Sequence, residues 1–266
     1  MMPQISSAAI ALIKFFEGDP PPRHPEWPGG ASGVTIGYGC DIGADPDSFD
    51  AWRPYLSADD FARLVPAKGV TGDDAHDLLP SVADIAIDPN ASERVLIDYS
   101  LPWTMAETLR AFPGADKLPA DSLGALISLV YNRGSSVVGD RRREMAWIKR
   151  QVAAGPTQWP LIAVEIAAMT YLWPGAPTAS NLPGRRLREA ALFAGGIDPT
   201  VLRYGLTGDR VAAVQRALAA KGFDLVPDGQ FGSRTMLALW RWQQSQAYPA
   251  TGIADDGTLR LLGLAS

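Results

Sequence analysis

Gly37-Tyr38-Gly39, set between Val34-Thr35-Ile36 and Cys40-Asp41-Ile42, constrains the fold of this chain more tightly than any other segment. Glycine takes left-handed backbone conformations without steric cost, so two glycines around one residue favour a three-residue reversal. If residues 33 to 43 formed one strand, Thr35 and Asp41 would share a face but lie about 20 Å apart at roughly 3.3 Å per residue. A hairpin centred on Tyr38 instead sets Ile36 opposite Cys40 and Thr35 opposite Asp41, with Cβ atoms about 5 Å apart. The sequence thus predicts a hydroxyl and a carboxylate side by side on a small β lobe.

A second carboxylate precedes this hairpin. Ser6 or Ser7 can cap a helix in which Ile10, Ile13 and Glu17 recur at spacings of three and four, which puts Glu17 in line with the apolar face. Gly18 and Pro20 end that helix. A carboxylate in the last turn lies at the negative end of the helix dipole, and burial beside Phe16 adds a desolvation penalty. Both effects favour the neutral acid that proton donation requires. Two acids flanking a cleft are the minimum apparatus for glycoside hydrolysis.

At these residues the chain resembles the bacteriophage-type lysozymes, glycoside hydrolase family 24 in the broad sense, and more closely their pesticin-like branch. Thr35-Ile36-Gly37-Tyr38-Gly39 after a helix-terminal Glu matches the family pattern, residues 125 to 134 (ALISLVYNRG) look like its buried central helix, and residues 182 to 189 (LPGRRLRE) look like its late Gly-Arg-Arg helix. The resemblance covers residues 5 to about 195. It implies Glu17 as general acid, Thr35 as the hydroxyl that positions water and Asp41 as the second carboxylate. It further implies substrate contacts by Tyr38, Asn132 and Arg186, with either Arg185 or Arg186 able to hold an acid or to be solvated. In the simpler phage enzymes the second carboxylate lies between the Glu and the Thr, so Asp19 and Glu26 compete with Asp41. Pro20, Pro21, Pro22, Pro25 and Pro28 mark the segment around Glu26 as a stiff exposed loop, which favours Asp41.

The rhythm changes near the C-terminus. Ala194-Gly195-Gly196-Ile197-Asp198-Pro199 breaks a helix, and Thr207 can cap another carrying Val211, Val214 and Leu218 and ending at Gly222. Asp228-Gly229 with Thr235 and Asp256-Gly257 with Thr258 read as a weak internal repeat of turn followed by helix. The Asp-Gly-x-Phe-Gly-x-x-Thr turn at 228 to 235 resembles that of the three-helix peptidoglycan-binding module. That resemblance implies glycan contacts by Asp228 and Phe231, with Trp242 in the core, while Trp240 on the opposite helix face can either stack on sugar or pack, against the catalytic domain or within the module. Residues 205 to 264 hold six basic and five acidic side chains against 18 and 24 elsewhere, so wall attachment would rest on shape, hydrogen bonds and stacking rather than bulk charge.

The expected domains are a lysozyme-like catalytic domain at 1–196, a linker at 197–206 and a peptidoglycan-binding domain at 207–266. The chain of 266 residues, 47% hydrophobic, can bury a full core. Helices expected at 92–98, 105–112, 122–132 and 160–171, with strands confined to the region of residue 35, give an α+β class with the cleft between lobes. A net charge of −5 argues against a nucleic-acid partner. Cys40 alone permits no internal disulfide, and His24 and His76 with one cysteine make a poor zinc set. No run of 18 apolar residues predicts stable membrane insertion, and the basic n-region of a cleavable signal is missing. Cytoplasmic synthesis, action at the wall or periplasm, and delivery by a holin-like membrane-permeabilising partner or an injection apparatus follow as expectations.

Together these readings predict a monomeric muramidase that cleaves the β-1,4 bond between N-acetylmuramic acid and N-acetylglucosamine by inversion, with no metal or organic cofactor. The competing readings are a chitinase-like glycosidase, a wall-binding protein without catalysis, and a wall peptidase or amidase. The last is disfavoured by the metal-ligand and Cys-His inventory.

Overall fold

The computed structural model describes residues 4–264. They form an α+β fold, mostly helical, with one two-stranded antiparallel sheet. The described residues divide into two compact units: Ile13–Ala106, and residues 4–12 with 107–264.

Helix α1 (Ser7–Glu17) begins where Ser6 Oγ accepts the Ala9 amide, and it stops at Gly18, whose φ of +92° cannot continue a helix. In the unit Ile13–Ala106, strands β1 (Thr35–Ile36) and β2 (Cys40–Asp41) pair in the register the glycine spacing predicts, Thr35 with Asp41 and Ile36 with Cys40. Gly37 (φ +59°) packs so closely that a Cβ there would stand 2.6 Å from the Trp52 ring. The hairpin closes over Val34, Ile36, Ile42, Phe49, Trp52, Phe61 and Leu64, all buried. Helices α2 (Ala58–Leu64), α3 (Asp73–Leu78) and α4 (Pro89–Val95) complete this unit with short 3-10 turns.

The expected break between 98 and 105 does not occur. A π-helical turn at Leu96–Ser100 carries α4 into α5 (Leu101–Ala111). Pro102 lies just after this π turn, inside a helical run that continues without a break.

The second unit is built on α6 (Ala120–Arg133), α7 (Arg143–Ala154), α8 (Pro160–Ala168) and α9 (Leu182–Ile197), with α9 packed on both α6 and α8. Leu123, Ala125, Leu126, Ile127 and Leu129 are fully buried, as the apolar run predicts. At Gly124 a Cβ would fall 2.4 Å from the Ala9 Cβ, so glycine permits the close approach of α1 to α6.

Residues 209 to 261 contribute α10 (Asp209–Ala219), α11 (Ser233–Ser245) and α12 (Asp256–Leu261). Thr207 does not cap α10; Gly208 holds that position and makes no side-chain cap, while Thr207 pairs with Gln230 in an antiparallel bridge. The 197–206 segment is bonded to the loops between the C-terminal helices. Leu202 and Ala254 exchange two backbone hydrogen bonds, and the Gly205 amide donates to Phe231 O. Among the described residues no helix is long and apolar enough to cross a membrane.

Candidate functional site

The hairpin is organised by one carboxylate. Asp41 Oδ1 accepts the amides of Gly33 (3.0 Å), Gly43 (3.0 Å) and Ala44 (2.9 Å), and Oδ2 accepts Gly33 at 3.1 Å. Four acceptor contacts fix the orientation of this half-buried acid and leave Oδ2 the less committed oxygen. Opposite it, the buried Thr35 hydroxyl donates to Gly33 O at 3.3 Å, which leaves the oxygen lone pairs to accept from another donor.

Glu17 meets the same turn. A Cβ at Gly39 (φ +75°) would stand 3.3 Å from Glu17 Oε2, so the second glycine lets the backbone lie against the half-buried carboxylate. The tip residue Tyr38 is buried and its hydroxyl donates to Asp19 Oδ1 at 2.8 Å. Burial, reinforced by the Asp19 hydrogen bond, pushes the Tyr38 phenol up to about 12. Lys14, one turn before Glu17, lies 5.7 Å from the Tyr38 ring centroid and donates to Glu93 at 2.8 Å. That hydrogen bond, against a smaller desolvation penalty, holds Lys14 above the usual lysine range. Along the chain only its i, i+3 spacing to Glu17 signals Lys14, and that signal is too common to single it out.

The two competing carboxylates are placed differently. Asp19 is engaged by Tyr38 and lies 4.0 Å from Lys14. Glu26 is exposed but not on a detached loop. It forms an antiparallel bridge with Thr35, with reciprocal amide bonds of 2.9 and 2.8 Å, and Trp27 Nε1 ties the loop to Ser32 O at 3.0 Å. Thr35 therefore has Glu26 as its partner on one side and Asp41 on the other. Directly opposed residues share a face of the pleat.

Asn132 and Arg186 come together in the second unit, where Arg186 Nη2 donates to Asn132 Oδ1 at 3.0 Å. Solvation of the arginine pair does not occur. Arg185 and Arg186 are 1% and 0% exposed, and both donate to Glu189 Oε1 at 3.1 Å, which also accepts Ser128 Oγ at 2.7 Å. The Gly-Arg-Arg helix thus supplies a buried ionic cluster between α6 and α9, where loss of one partner would strand a charge. A further acid pair lies on α7 and α8. Burial opposes ionisation of Glu144, but hydrogen bonds from Arg143 and Tyr171 outweigh it and hold the acid below its ordinary range. Burial and then the Glu144 charge push Glu165 upward. A cavity of about 300 Å³ opens in this unit between Ala163, Ile197 and Ile253, and it includes none of Glu17, Thr35 or Asp41.

In the C-terminal helices, two buried glutamines clamp two turns identically. Gln215 Oε1 accepts the Gly229 amide (2.8 Å), while its Nε2 donates to Gln230 O and Thr235 Oγ1 (both 3.0 Å). Gln243 Oε1 accepts the Gly252 amide (2.8 Å), while its Nε2 donates to Ile253 O (2.8 Å) and Thr258 Oγ1 (3.0 Å). The internal repeat therefore matches Asp228-Gly229 with Thr251-Gly252, not with Asp256-Gly257; Asp255 instead caps α12 through the Thr258 amide. Asp228 Oδ1 accepts Gln230 N and Gln215 Nε2 at 2.8 Å within its own turn, and the Gln230 amide is the main reason its carboxyl is held below the usual carboxylate range. Phe231 and Trp240 are 1% and 9% exposed. Both rings therefore pack in the core of the module, which is the packing alternative for Trp240.

The family model of the peptidoglycan binding domain matches residues 207–262. This chain carries a peptidoglycan-binding module. The match spans all three C-terminal helices and both glutamine-clamped turns, and supports association with the cell wall. No curated protein matches the chain.

Proposed function

We propose that the protein is a muramidase, hydrolysing the β-1,4 bond between N-acetylmuramic acid and N-acetylglucosamine in the peptidoglycan to which residues 207–262 bind. The observation that carries this reading is the hairpin: it sets Thr35 beside a backbone-oriented Asp41 while its Gly39 lies against Glu17. Glu17 gives its proton to the glycosidic oxygen as the bond to the anomeric carbon breaks. Water attacks that carbon from the opposite face, its position set by Thr35, and its proton passes to Asp41. The products are two sugar ends, one reducing. Inversion follows for carboxyl groups about 6.5–9.5 Å apart, and a covalent intermediate for about 5–5.5 Å. In this reading the catalytic region lies within 1–196 and the protein acts as an endolysin or antibacterial effector.

Digestion of purified wall with product mass spectrometry tests the reading. Reducing-end muramic acid is the expected product, and Glu17→Gln should remove it with the fold intact. Freed peptide ends would instead mark an amidase or peptidase, and an undigested wall with bound protein a non-catalytic binder. Glu26 has a specific claim to be the second carboxylate, since it also faces Thr35 and its side chain is exposed. Comparing Glu26→Gln with Asp41→Asn, each checked for native folding, decides between them.

A further inference from the structure

Phe231 and Trp240 are buried and the exposed Asp228 is engaged within its own turn, which leaves the helix faces of the module as its recognition surface. A cleft of about 320 Å³ runs along one face of α11, lined by Arg234, Leu237, Ala238 and Arg241, with Phe223 and Asp224 from the segment after α10 forming its other wall. The four α11 positions follow the i, i+3, i+4, i+7 spacing of a single helix face. Arg234 and Arg241 are exposed, and neither has an ion-pair or hydrogen-bond partner among the described residues. Seven residues at 1.5 Å each separate their backbones by about 10 Å. Between them Leu237 and Ala238 make an apolar floor, with half-buried Phe223 beside it.

Resting on the peptidoglycan-binding reading of the module, we infer that this cleft holds the peptide stem of peptidoglycan, with Arg234 and Arg241 each taking a carboxylate. Three extended residues span about 10 Å, the rise along the helix between the two arginines. Charge complementarity selects the peptide over the other wall polymers. A neutral glycan strand gives two unpartnered guanidinium groups nothing to pair with, and a uniformly anionic phosphate polymer is repelled by Asp224. A stem peptide offers carboxylates to the arginines, an ammonium group to Asp224 and methyl side chains to the floor. Guanidinium groups bind carboxylates in a bidentate fork, which fixes the peptide's direction as well as its position.

Cosedimentation of the full chain with purified sacculi tests the assignment, using intact sacculi, intact sacculi with an excess of soluble stem peptide as competitor, and sacculi freed of phosphate polymers by acid. The wild-type chain should bind intact and phosphate-free sacculi alike, and the soluble peptide should weaken that binding about tenfold or more, the scale of a lost charge-assisted contact. The Arg234→Gln/Arg241→Gln double variant should bind intact sacculi only at the peptide-competed level. Arg234→Lys/Arg241→Lys, which keeps both charges but not the bidentate fork, should recover part of the loss. Because both side chains are exposed, circular dichroism of the variants should match wild type. Wild-type binding by the double Gln variant, undiminished binding in the presence of the soluble peptide, or loss of binding on phosphate removal would each overturn the assignment. If the wild-type chain sediments with no sacculus, the module reading falls too; if it sediments and the Gln variant matches it, only the cleft assignment falls.

Discussion

The hairpin at residues 33–44 and the two turns of the C-terminal module solve one problem with different chemistry. Each is a glycine-rich reversal whose amides need acceptors, and each borrows a side chain to supply them. In the hairpin that side chain is Asp41, half-buried, acceptor-only, and left with a less committed oxygen next to a hydroxyl. In the module the clamps are Gln215 and Gln243, 1% and 0% exposed, with donors and acceptors both committed. A carboxylate clamp leaves a turn able to handle protons. An amide clamp yields a rigid scaffold whose binding must occur on a helix face instead.

The largest effect should come from placing a substitution on each side of this contrast. Glu17→Gln is expected to reduce release of reducing ends by about 10²–10⁴-fold, the usual contribution of a general acid, with little change in thermal stability. Gln243→Ala should leave the chemical step intact but destabilise the module by about 3 kcal/mol, since it strands the Thr251 and Gly252 amides in a buried turn. A large fall in turnover for Gln243→Ala on small soluble fragments would break the contrast. Asp41→Asn should lie between these, costing about 1–2 kcal/mol in denaturant unfolding because one amide oxygen can still accept but the new NH₂ faces the Gly33 amide.

The smallest effect is in alkaline titration. The Tyr38 phenol is raised to about 12 in the folded state, so the fold holds this proton more tightly than the unfolded chain does. Its stabilising contribution is therefore complete below about pH 10, the unfolded value, and declines as pH rises toward 12. Absorbance near 295 nm should show Tyr38 among the late-ionising phenols, with Tyr99, Tyr171 and Tyr248 also raised, and Tyr38→Phe should lower the late amplitude by one phenol. If the late amplitude is unchanged in the variant, Tyr38 is not locked to Asp19.

The legibility of each region follows from the range of its interactions. The hairpin register can be read because Gly37 and Gly39 act on their own backbone, and α6 because its apolar run is buried all round. The break expected near Pro102 is absent because a π turn just ahead of the proline lets the helical run continue. The pairing of Glu26 with Thr35 is obscured by the prolines, which argue for an irregular loop and do not show what that loop pairs with. Phe231 and Trp240 carry the residue types of a sugar site, but burial decides whether an aromatic ring has a free face.

By itself, the sequence determined the reversal at Tyr38, the α+β class and the turn pattern of the wall-binding module, because each depends on backbone preferences and short-range periodicity. Tertiary structure alone decided that Arg185 and Arg186 are interior ions clasping Glu189, that the repeat runs through Gly229 and Gly252, and that Arg234 and Arg241 flank an open cleft. Each of these depends on which distant groups share a dehydrated space, a property that spacing along the chain does not encode.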